Sequence, residues 1–72
     1  MLRAAMDDVR AELHTTEDEV RQQAANLRQR ARALRLRGFG DVADELEAHA
    51  VALHETADSI ATLLESLPSP SA

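Results

Sequence analysis

The chain has 72 residues, a formal net charge of −5, no cysteine, a single aromatic residue and eight basic residues, all of them arginine. That rules out more than one domain, any disulfide or thiolate-metal staple, and an aromatic platform for bases, sugars or flavins. The apolar stretches are a few residues long against the roughly 20 a membrane span needs, and the N-terminus lacks the apolar core of a signal peptide.

In chain order, the first element is a long amphipathic helix. Met6, Leu13, Val20, Leu27 and Leu34 recur every seven residues, with Leu2 and Val9 between them early and Ala24 and Ala31 late. That is one helical face with a phase shift near Thr16. The spacing predicts a helix over residues 2–37. Thr16-Glu17-Asp18-Glu19 has the form of a capping box and offers an alternative break at residues 14–16. Continuity is the better reading, because the apolar phase nearly carries through. Arg35 and Arg37 fall in the last turn, where the helix dipole favours cations.

Gly38-Phe39-Gly40 is the predicted turn, with Gly38 suited to a left-handed C-terminal cap. A second helix is predicted over residues 41–67. Asp41 is its expected N-cap, and Asp44 and Glu45 are expected in its first turn. Phe39, Leu46, Leu53, Ile60 and Leu67 recur every seven residues, and Ala43, Ala50, Ala57 and Leu64 each follow four later. Leu67 precedes a proline and so ends the helix. Residues 68–72 read as a disordered tail.

A turn at 38–39 pairs positions whose numbers add to about 77. Leu34 then meets Ala43, Ala31 meets Leu46, Leu27 meets Ala50, Ala24 meets Leu53 and Val20 meets Ala57. Each layer sets a large side chain against an alanine, which allows helices to approach to about 8 Å. The expected fold is all-α: an antiparallel two-helix hairpin, an alanine-rich coiled coil, completing a four-helix bundle by dimerisation. The same register places Arg30 near Glu47, Arg32 near Glu45 and Arg37 near Asp41. Arg10 falls opposite Leu67, and Glu17 opposite Ile60. This accounts for the charge segregation, in which residues 21–37 hold six arginines and no acid while residues 38–72 hold seven acids and no base.

A lone hairpin buries a single seam, and single cores of this size are marginal without a staple or a partner. Residues 1–9 overhang the hairpin, and Leu36, Val42, Val51 and Leu63 fall off the seam. The expected interface is therefore Leu2, Met6, Val9 and Leu13 with Ile60, Leu63, Leu64 and Leu67. Its expected occupant is a second copy of the chain, a dimer being favoured, or another protein.

Other chemistries fit poorly. His14, His49 and His54 lack the Glu-x-x-His spacing of a di-iron bundle. No nucleophile motif or phosphate loop is present, so neither enzyme activity nor a cofactor is expected. Arg21, Arg28, Arg32 and Arg35 form a stripe along helix 1 that suits an acidic protein partner. Nucleic acid is disfavoured by the net negative charge and the lack of interleaved aromatics. Asp41-Val42-Ala43-Asp44 resembles, over four residues, the acidic tip of coiled-coil regulators that enter the RNA polymerase secondary channel; first-turn acids account for it equally well. Hairpins exported by type VII systems are similar in architecture, but their Trp and Tyr motifs are absent here. Cysteine-free composition fits the cytoplasm, and arginine with abundant alanine fits a GC-rich bacterial or phage genome.

Overall fold

A computed structural model describes the backbone of residues 2–68 and the side chains of residues 5–68. It consists of two helices, α1 (Leu2–Leu36) and α2 (Gly40–Ser66), packed against each other as a hairpin. Its Cα atoms fill an envelope of 55 × 15 × 12 Å. No helix is long and apolar enough to cross a membrane among the described residues.

Helix α1 runs through residues 14–16 without a break. The Thr16 hydroxyl donates back to the Glu12 carbonyl at 2.9 Å. A threonine bonded in this way stays inside a helix, whereas capping would require it to bond forward to free N–H groups.

The turn is a Schellman cap. The Phe39 N–H donates to the Leu34 carbonyl at 2.9 Å and the Gly38 N–H to the Arg35 carbonyl at 3.1 Å. Together they satisfy carbonyls that the end of α1 would otherwise leave free. Gly38 takes φ +90°, the one left-handed residue among those described. This tight exit changes the start of α2. Its N-cap is Phe39 and not Asp41; no side chain caps it, and Asp41 is the sole acid in its first turn. With the helix beginning at Gly40, Asp44 and Glu45 fall into the second turn. At the far end Leu67 is extended, with ψ 146°, as expected of the residue before Pro68. The tail positions 69–72 lie outside the described residues.

The seam is made of alanine. Ala24, Ala31, Ala43, Ala50 and Ala57 are all 0 % exposed, and Leu64 is 7 % exposed. These are the five alanines that the large-against-small register places between the helices. Their large counterparts Val20, Leu27, Leu34, Leu46 and Leu53 are only partly covered. Among the described residues, no large side chain is fully buried.

Gly38→Ala should destabilise the protein by about 1–2 kcal/mol, the cost of a left-handed backbone with a Cβ, since nothing lies within 4 Å of an added Cβ to relieve or worsen the strain. Gly40→Ala, at an equally open position without positive φ, should be neutral or stabilising by about 0.4–1 kcal/mol. Urea midpoints at one fixed chain concentration distinguish the two.

Candidate protein interface

The two sides of the hairpin differ in charge pairing. On one side arginines of α1 meet carboxylates of α2. Arg35 contacts Asp44 at 3.0 Å and Glu47 at 2.9 Å. Arg21 contacts Asp58 at 3.2 Å and Glu17 at 2.8 Å. Arg28 and Arg32 share a shallow depression with Glu47 and Val51 on the same side. The expected pairs Arg30–Glu47, Arg32–Glu45 and Arg37–Asp41 are absent among the described residues. Arg35 takes Glu47 instead, because position 35 shares this flank with 21, 28 and 32, whereas 30 and 37 lie on the other.

These pairs bear on the arginine stripe. Of Arg21, Arg28, Arg32 and Arg35, the first and last are held by carboxylates of their own chain. Both guanidiniums are raised above their ordinary range, Arg21 chiefly by its hydrogen bond to Glu17 and Arg35 chiefly by that to Glu47. A cation stabilised in this way contributes at every pH below its unfolded range and loses the contribution only as pH rises past the folded value. Around neutrality these arginines therefore do not titrate. Glu17, expected to sit awkwardly opposite Ile60, has its carboxylate covered by Arg21, which links it to Asp58.

The opposite side carries no ion pair among the described residues. Leu27, Leu34 and Leu46 line an open groove there with Arg30, Ala33 and Arg37. The seven-residue spacing carries Val20, Leu53 and Ile60 onto the same side. The Arg37 guanidinium lies 5.7 Å from the centre of the Phe39 ring, within cation–π range. Phe39 and Val42 are each 49 % exposed, and Leu36 at the turn is 90 % exposed. The sequence pattern set Arg30 beside Glu47 and Arg37 beside Asp41 in the last turn, and missed their groove. Their seven-residue spacing, one turn on from Asn26 and Ala33 and beside Leu27 and Leu34, was the available signal.

The residues expected to form an interface divide as follows. Val9 and Leu63 are 44 % and 55 % exposed. Met6, Leu13, Ile60 and Leu67 are half-covered. Leu64 is not available, because it closes the hairpin's own seam. The Leu2 side chain lies outside the described residues. Val51, 51 % exposed, belongs to the ion-paired side.

Arg10 ties the open end together, at the level where the register set it opposite Leu67. It donates to the Pro68 carbonyl at 2.7 Å and reaches the Leu64 carbonyl at 3.5 Å, while its buried Nε has no partner. Helix α2 has no base in its own last turn, so α1 supplies the cation its dipole favours. Among the described residues, no three His, Asp or Glu side chains converge as a metal site. Comparison with known protein families, with curated proteins and with solved structures found no match to this chain.

Arg10→Ala should lower stability by about 1.5–3 kcal/mol, the range for hydrogen bonds to charged groups, and should speed amide exchange in the last turn of α2. Arg10→Lys should recover little of this, because an ammonium cannot span both carbonyls as a guanidinium fork does.

Proposed function

We propose that this protein is a non-enzymatic interaction module: an alanine-seamed helical hairpin that binds a second copy of itself through its unpaired side and completes a four-helix bundle. In that form it would act as an assembly, adaptor or inhibitor protein of the bacterial or phage cytoplasm. One observation carries the reading. The bulky half of every seam layer stays partly open, and all of the bulk leans away from the ion-paired side. Burying such side chains is worth roughly 1.5–3 kcal/mol each, and a single hairpin captures only part of that. A second hairpin laid on the same side captures the remainder without displacing any polar contact.

The competing reading is a regulator that binds nucleic acid or an acidic protein through the arginine stripe. It is weaker, because two of the four arginines are occupied by Asp44, Glu47, Asp58 and Glu17, and Glu47 lines the depression that holds the remaining two. The small number of free cations argues against phosphate binding of useful strength.

The Val9→Asp, Leu63→Asp double variant tests self-association. Both residues are exposed in the hairpin, so the variant should keep its helical circular dichroism while its molar mass in light scattering drops to that of one chain. A wild-type protein already at one chain mass, or a variant with unchanged mass, would remove this surface as the interface.

A further inference from the structure

The unpaired side of α1 carries four charged residues in a pattern that reads the same, with sign reversed, from either end. Glu12, Glu19, Arg30 and Arg37 are separated by seven, eleven and seven residues. Each interval returns a helix to within about 20° of its starting direction, so the four lie on one strip. The surface depressions agree: Glu12 and Glu19 flank one with Thr15 and Thr16, and Arg30 and Arg37 flank the next with Ala33 and Leu34. All four are exposed, and none forms an ion pair within the chain among the described residues.

Glu12 and Arg37 are 25 positions apart, or about 37 Å along the helix, so one chain cannot join them. Two antiparallel copies of α1 can. If facing positions add to 49, Glu12 meets Arg37 of the second copy, Glu19 meets its Arg30, Thr15 its Leu34 and Thr16 its Ala33. The two-fold axis makes each pair occur twice.

Helix α2 gives the same answer independently. Its stripe of Phe39, Leu46, Leu53, Ile60 and Leu67 is symmetric about Leu53, so an antiparallel copy matches Leu46 with Ile60, Phe39 with Leu67 and Leu53 with itself. The two centres coincide within the hairpin. Its register is bracketed by the polar contacts between the helices, whose position numbers add to between 74 for Arg10–Leu64 and 82 for Arg35–Glu47, with Arg21–Asp58 and Arg35–Asp44 at 79. That sets Leu53 level with residues 21–29, a span centred on residue 25, beside the midpoint of the α1 pattern.

We infer that the second copy docks antiparallel on the unpaired side, α1 against α1 and α2 against α2, about a two-fold axis passing between residues 24–25 and Leu53, with Glu12–Arg37 and Glu19–Arg30 pairs fixing the register. The inference rests on the self-association reading and adds its geometry. It also covers the loose ends. Val9 comes level with the second copy's turn, so the overhanging start of each α1 lies beside Phe39 and Val42 of the other copy. Leu63 falls at the level of Val42 and Ala43. The apolar stripes drive the contact, and the charges penalise other registers.

Charge reversal tests the register separately from association. Glu12→Arg, Glu19→Arg leaves the strip wholly basic, and Arg30→Glu, Arg37→Glu leaves it wholly acidic. Each variant alone should fall from twice to once the 7.9 kDa chain mass in sedimentation. Mixed one to one they should recover the dimer, because every contact is again of opposite sign. The fourfold reversal should dimerise by itself, and its dimerisation guards against either double variant misfolding. If both double variants remain dimeric, or if neither the mixture nor the fourfold reversal recovers the dimer, this register is wrong and self-association stands. A wild-type protein at 7.9 kDa removes both.

Discussion

Five alanine methyls set the distance between the two helices, and the rest of the molecule follows from how little they fill. Methyl groups at 0 % exposure mean that the helices approach closely along much of their length. That closeness gives a stable register but leaves the four leucines and Val20 of these layers only partly covered. They lie along the margin of the seam, in partial contact with water. A seam of leucine on leucine would have spread the helices and covered more of its own surface. The alanine seam makes the hairpin narrow and leaves the bulky half of each layer on one side, while Val51 lies on the other.

The charges divide the two sides in function. On one side Arg21 and Arg35 link α1 to three carboxylates of α2, and Arg21 also holds Glu17 of its own helix, so this side is paired within the single chain. On the other, Arg30 and Arg37 face leucines and no acid. The same residue type thus does different work at different positions of the same helix, according to whether the seven-residue repeat brings it beside α2's acidic edge. Under the proposed self-association, pairing one side inside the chain and leaving the other open would direct the second copy, since one placed on the ion-paired side would have to displace contacts already made.

The ends are handled by contacts between the helices. The Schellman cap turns the chain in three residues and hands Phe39 directly to α2 as its N-cap, so no side-chain cap is needed or present. At the open end Arg10 bonds carbonyls of the other helix's last turn and of Pro68. The hairpin is therefore fixed at both ends of the shared seam, and residues 2–9 of α1 extend beyond it.

The sequence by itself determined the helices, the turn and the register. The seven-residue repeats, Gly38 and the alternation of large side chain with alanine are local or nearly local signals, and only one folding back satisfies them together. It also placed Arg10 at the end of α2. What it did not determine was the side on which each edge residue falls. Periodicity tells that positions 30, 32 and 35 lie near the seam, but a difference of one residue is about 100° of rotation. Which carboxylate an arginine meets depends on how both helices are rotated about the seam. Only the packed pair decided that Arg35 and not Arg30 takes Glu47, that Leu64 is enclosed within the chain, and that Phe39 displaces Asp41 as the cap. The first two depend on contacts between residues far apart in sequence, where pattern along one helix carries no information about its neighbour's rotation, and the third follows from the backbone geometry of the Schellman turn.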